Sequence, residues 1–147
     1  MQSIFEKNVQ DEVRQRLERL NSQSPAVWGK MNVAQMLAHC AASMKVPVGD
    51  LTIKKTWVRF LGRMFKDMAV NDTPFRKNSP TAAEFVIKDP RDFDTEKRNF
   101  LSAFTKISAG PSAIVCFEHS FFGPFTTEDW GKLLYKHTDH HFRQFGV

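Results

Sequence analysis

The chain has 147 residues, 41% of them hydrophobic and 25% charged, which is the composition of one globular domain with a real core. It excludes a disordered or collagenous chain, and two cysteines, Cys40 and Cys116, make no disulfide framework. The net charge of +5 argues only for solubility and weak affinity for polyanions. No apolar run is long enough to span a bilayer, and the first twenty residues mix acids and bases throughout, which argues against an export signal. The expectation is a single domain over 1–147, cytoplasmic, with both cysteines reduced.

A first helix is predicted over 4–20, where Ile4, Phe5, Val9, Val13, Leu17 and Leu20 fall near a 3.6 period. NSQSP at 21–25 is a stop and a turn. A second helix opens at Asn32, which forms a capping-box-like pair with Gln35, and it runs to about Met44. Its apolar residues occur on every side, so it is expected to be buried on every side. Pro47 and Gly49 end it. A short amphipathic helix is expected over 54–67. Trp57, Phe60, Leu61 and Met64 form its apolar stripe, and Lys55, Arg59 and Arg63 the opposite one. That basic stripe could touch nucleic acid or anionic lipid, but such stripes are more often the wet face of a packed helix.

NDTPFRKNSPT at 71–81 reads as an ordered loop and 84–88 as a short extended piece. A third long helix is predicted over 94–108, with Phe93, Phe100, Leu101, Phe104 and Ile107 on its apolar face and Gly110-Pro111 as its stop. Residues 112–125 form a packed, partly extended connector. The last helix begins with Thr126 as N-cap, carries Glu128 and Asp129 in its first turn, and runs to about Phe145. Four principal helices and a short one between the second and third give an all-α bundle.

The chemistry lies in the histidines. At about 100° per residue, His137 and His141 fall in the middle of the apolar stripe of the last helix, beside Trp130 and Leu134. Lys132, Lys136, Asp139 and Arg143 fall opposite, and His140 on the flank. Two imidazoles one turn apart on a core-facing stripe need partners for their nitrogens, and one metal ion satisfies both. His39, in the middle of the most buried helix, is the third candidate. Three neutral histidines with an open fourth position are the pattern of a catalytic Zn²⁺ or Ni²⁺ site. Any one of these histidines alone reads better as an ordinary satisfied core residue, or the HTDHH run as a solvated helix end. It is the pair His137/His141 with His39 available that points to a metal.

H-T-D-H-H has no Glu directly after His137, so it is not the metalloprotease helix motif. No Glu-x-x-His signature of a di-iron bundle is present, nor a C-x-x-C or phosphate loop. Cys40 lies about 100° from His39 on the helix and reads as a buried core residue rather than a ligand. Gln35 shares the face of His39 and could orient a ligand or simply cap the helix. His119 could reach a pocket mouth or be a loop residue. The abundant phenylalanines, fourteen in all, are expected to fill the core.

WGKMNVAQMLAHC at 28–40, PFRKNSPTA at 74–82 and FFGPFTTEDWGKLLYKHTDHHFRQFGV at 121–147 resemble the DinB/YfiT-like superfamily, in particular its branch with a C-terminal H-x-x-x-H helix ending in RQFGV. The resemblance implies an up-down-down-up four-helix bundle and a divalent metal held by His39, His137 and His141. Characterised relatives include metal-dependent thiol transferases, and members often form dimers. The expectation is therefore a metal-dependent transferase or hydrolase acting on a small molecule, with a low-molecular-weight thiol as a cosubstrate of the transfer route, and a homodimer. The family link implies no nucleic-acid binding, and the lack of an apolar span argues against a membrane role. Ser120 departs from the branch's usual proline after its connector histidine, His119. The competing reading is a non-catalytic, metal-stabilised binding or stress-response module.

Overall fold

The computed structural model describes the chain except for residues 55–58 and the side chains of Arg59 and Phe60. Helix makes up 52% of the chain, so contacts between helices supply most of the core. Four helices are long: α1 (Lys7–Glu18), α2 (Val33–Lys45), α5 (Phe93–Ser108) and α6 (Thr127–Gln144). Two are short: α3 (Arg59–Met64) and α4 (Lys66–Val70). A two-residue antiparallel pair, β1 (Glu118–His119) with β2 (Gly123–Pro124), folds the connector back on itself.

The long helices start where their capping chemistry puts them. The Asn32 side chain accepts from the Gln35 backbone N–H, and Gln35 returns the bond to the Asn32 N–H. Thr126 and Asp129 do the same at the start of α6. Asp92 caps α5 by accepting from the Thr95 N–H, an acidic start that the apolar period alone does not mark. α1 is shorter than predicted. Ile4 is fully buried but stands outside the helix, its N–H donating to the Gly131 carbonyl of α6 at 3.0 Å. Periodicity had reported its burial, not its backbone conformation.

α2 packs chiefly against α5 and also meets α6, so α2 is buried on most of its circumference, as its composition requires. Phe100 and Phe104 stack within α5, and Phe100 meets Phe142 of α6 with ring centroids 5.7 Å apart. Each such fully buried aromatic contributes about 1.5–3 kcal/mol of transfer free energy. Arg16 of α1 is buried against Phe142. Its guanidinium pairs with Asp139 at 2.8 Å and Glu12 at 2.9 Å, tying α1 to α6.

Three expectations change. The described part of the helix expected over 54–67 is in two pieces, α3 and α4, that break at Phe65. Its expected apolar face is open, with Leu61 41% and Met64 77% exposed. Leu61 and Met64 stay open because no neighbouring helix covers them among the described residues. Lys55 and Trp57 lie outside the described residues, as do the side chains of Arg59 and Phe60. Residues 84–88 begin with a 3₁₀ turn, Ala83–Phe85, rather than a strand. Phe65 and Phe117 are exposed, so the phenylalanines do not all serve the core. No described helix is long and apolar enough to cross a membrane.

Candidate metal centre

His39 projects from the middle of α2, and His137 and His141 from successive turns of α6. The contact between the two helices brings the three rings together, with centroids 4.6–4.8 Å apart pairwise. One nitrogen of each ring lies within 4.8 Å of the other two. The nearest pair, His39 Nε2 and His137 Nε2, is 2.9 Å apart. His39 and His141 are buried and His137 is partly so. This is the trio expected from the sequence, and its geometry could hold a metal ion.

The protons on these rings follow from their outer partners. His39 Nδ1 is 2.9 Å from the Phe85 carbonyl, which can only accept, so Nδ1 carries the proton. His141 Nδ1 is 2.8 Å from Gln144 Oε1. The orientation of that amide is set by its other end, where Gln144 Nε2 donates to the Trp28 carbonyl at 2.7 Å. His141 Nδ1 therefore also donates. His137 Nδ1 is 3.1 Å from Ser43 Oγ, and the single hydroxyl proton of Ser43 is spent on the Cys40 carbonyl at 2.7 Å. With that proton directed to the Cys40 carbonyl, Ser43 accepts and His137 Nδ1 donates.

All three Nδ1 atoms thus donate outward, and all three Nε2 atoms keep bare lone pairs. Such outer hydrogen bonds fix the tautomer and raise the basicity of a ligating imidazole. Two lone pairs facing each other at 2.9 Å repel unless a cation lies between them. With both Nδ1 atoms protonated, a further proton bridges the two Nε2 atoms only by making one ring an imidazolium. Burial opposes that: it lowers the pKa of His39, lowers that of His137 well below the ordinary value, and lowers that of His141 to about 3, with the neighbouring histidines adding to the effect at His137 and His141. Neutral nitrogen donors without a carboxylate suit zinc, copper or nickel better than magnesium or calcium.

Loop 27–29 closes the outer side of α6. Gly29 has φ +84°, and a Cβ there would collide with Gln144 Nε2. Only glycine lets the Trp28 carbonyl reach the amide that holds His141.

The other candidates fall away from the centre. His119 accepts from the backbone N–H groups of Phe121 and Phe122 at 3.1 and 3.2 Å and packs against Trp130, so it holds the β1–β2 turn. Burial lowers its pKa to about 4. Gln35 is committed to capping α2 and to the Asp89 carbonyl. Cys40 is fully buried beside Met36, and burial pushes its thiol pKa well up, opposite to what a reactive thiolate needs. Lys136, expected on the wet face, is 6% exposed and donates to Met68 O, Asn71 O and Asn71 Oδ1, because α4 covers that side of α6. Asp139 is turned from the trio, as expected, but toward Arg16 and Arg143 rather than into solvent.

Ser43, Gln144 and the Phe85 carbonyl are the residues that sequence reasoning missed. Ser43 stands four residues after His39 and Gln144 three after His141, both at spacings that share a helix face. Nothing in the sequence distinguishes them from ordinary polar flank positions. No curated protein and no solved structure matches this chain. Over residues 5–146 it matches the family described as protein of unknown function DUF1569, a DinB/YfiT-like family, and the chain belongs to that family.

Proposed function

We propose that the protein is a metal-dependent enzyme whose divalent ion, zinc or nickel, is held by the Nε2 atoms of His39, His137 and His141. The observation that carries this reading is the convergence of three neutral imidazoles whose Nδ1 protons are all directed outward. A divalent ion in such a site supplies Lewis acidity and lowers the pKa of a coordinated water or thiol toward neutrality. The reaction classes that fit are transfer of a low-molecular-weight thiol to an electrophile and hydrolysis. His39, His137 and His141 then fix the ion, Phe85 O, Ser43 and Gln144 fix the rings, and the surrounding core excludes water. The four long helices are read as the up-down-down-up bundle that the family resemblance implies, with a second copy completing a homodimer.

The alternative is a non-catalytic module in which the ion only stabilises the fold. The ligand count favours the enzyme. A structural zinc site is closed by four protein ligands, whereas the group among the described residues has three, and His137 is partly exposed. Metal analysis of the purified protein beside His137→Ala and His141→Ala tests the assignment. About one ion per chain in the wild type and a large loss in both variants is expected on the three-ligand argument. Equal metal content in all three would defeat it.

A further inference from the structure

A cavity of about 160 Å³ lies beside the histidine trio, on the outer side of α6. His140 forms the wall between them, its ring centroid 5.1 Å from that of His141. Trp28 and Phe75, from two separate loops, stand edge-on to His140 at 5.8 and 6.0 Å and make the other walls. Each of these aromatic rings carries an ammonium group over its face. Lys77 Nζ is 4.4 Å from the Trp28 centroid, and Lys136 Nζ is 4.7 Å from that of Phe75.

The charges around this space do not balance. Arg143 is paired with Asp139. The hydrogen-bond acceptors of Lys136 are neutral oxygens, two of them carbonyls, so its charge is solvated but not neutralised by them. Lys77 has no carboxylate partner among the described residues. Lys136 has its three N–H groups committed and feels Asp72, so the ammonium group left to meet a ligand is that of Lys77, beside aromatic walls. Flat apolar faces suit such walls, and a negative end suits that ammonium group. The cavity's volume of about 160 Å³ is that of a cavity that holds one benzene-sized ring, roughly 150 Å³.

We infer that this cavity binds a small organic anion with a flat apolar body, with Lys77 as its counter-charge and Trp28 and Phe75 as its walls. Since His140 lines the cavity and packs on His141, such an anion is also the substrate class of the proposed metal centre. That last step rests on the metal reading, whereas the binding itself does not.

Calorimetric titration of the full chain with benzoate tests the inference, with benzyl alcohol as a neutral molecule of similar size and with metal content measured on the same preparations. Saturable binding of one benzoate per chain is expected. Benzyl alcohol should bind several-fold more weakly. Lys77→Gln, at an exposed position that leaves the fold alone, should weaken benzoate by about fivefold, the upper end of what an exposed charge pair supplies, without changing metal content. Trp28→Leu should weaken both ligands, because it removes a wall while keeping the backbone carbonyl that Gln144 uses. Absence of saturable benzoate binding, or equal binding of both ligands unaffected by Lys77→Gln, would overturn the inference. Benzoate binding by a protein that holds no metal would uphold the cavity and remove only the metal reading.

Discussion

His39 Nε2 and His137 Nε2 face each other at 2.9 Å across the α2–α6 contact, and with both Nδ1 atoms protonated neither has a proton to give. Phe85 O holds one ring and Ser43 Oγ the other, so neither can turn its Nδ1 inward without losing a hydrogen bond. A buried acceptor left without a donor costs about 1–3 kcal/mol. Three Nε2 lone pairs converging from three rings are an arrangement that a cation relieves.

Ser43→Ala isolates the outer hydrogen bond at His137. The ring keeps its place beside His39 and His141, but its Nδ1 proton loses its acceptor. Loss of one such partner costs about 10–100-fold in metal affinity. The expected result is a chain with wild-type helical circular dichroism and zinc affinity lower by about tenfold or more in a chelator competition. Unchanged affinity would show that Ser43 does not orient His137.

Gly29→Ala should act on the centre from outside it. The backbone at Gly29 is left-handed, which costs a residue with a side chain about 1–3 kcal/mol, and the new methyl would displace the Gln144 amide. His141 then loses the acceptor that holds its ring. Denaturant unfolding should show the stability loss, and the same preparation should bind zinc more weakly. A stability loss with intact affinity would separate the loop from the centre.

The helices and the His137–His141 pair were legible in the sequence for the same reason, local spacing, and His39 because it lies in a helix apolar on every side. Val9, Val13 and Leu17, or His137 and His141, share a face whatever the rest of the chain does. The capping pairs Asn32–Gln35 and Thr126–Asp129 are likewise local. What spacing does not carry is which neighbour covers a face. Leu61 and Met64 have the period of a buried stripe but lack a covering helix, and Lys136 has the position of a solvated lysine but meets α4. The proton arrangement of the centre was hidden for a related reason. It depends on the Phe85 carbonyl, 46 residues from His39, and on the Trp28 carbonyl, 116 residues from Gln144, and a backbone carbonyl has no sequence signature.

Cys40→Ser tests whether the neighbour of His39 takes part. The Cys40 side chain points into the core beside Met36, about a quarter turn from His39 along the helix. Metal content should be unchanged. The fold should lose about 1–3 kcal/mol, since a buried hydroxyl replaces a thiol that behaves as an apolar group. A large loss of metal with little loss of stability would make Cys40 a ligand.

The metal-free protein should lose stability as the solution is acidified, in a window set by the histidines. Unfolded histidines take up protons around pH 6.5, whereas in the native state burial lowers the pKa of His39 and His137, that of His119 to about 4 and that of His141 to about 3. Above pH 6.5 neither state binds these protons, and the stability is fully present. Below it the unfolded chain binds protons that the native state refuses, so stability falls, by up to about 1.4 kcal/mol per pH unit for each such group. For His119 and His141 the fall continues until the pH passes their folded values. The window opens above the ordinary carboxylate range, so the first part of the loss belongs to histidine. Urea midpoints measured with a chelator at pH 7.5, 6.5, 5.5 and 5.0 (about unit to half-unit steps through this window) should drop steadily below pH 6.5. With zinc bound, protons must displace the ion before they reach the trio, and the decline should begin at lower pH. Equal midpoints at pH 7.5 and 5.0 in the chelated protein would mean that these rings are not held neutral by the fold.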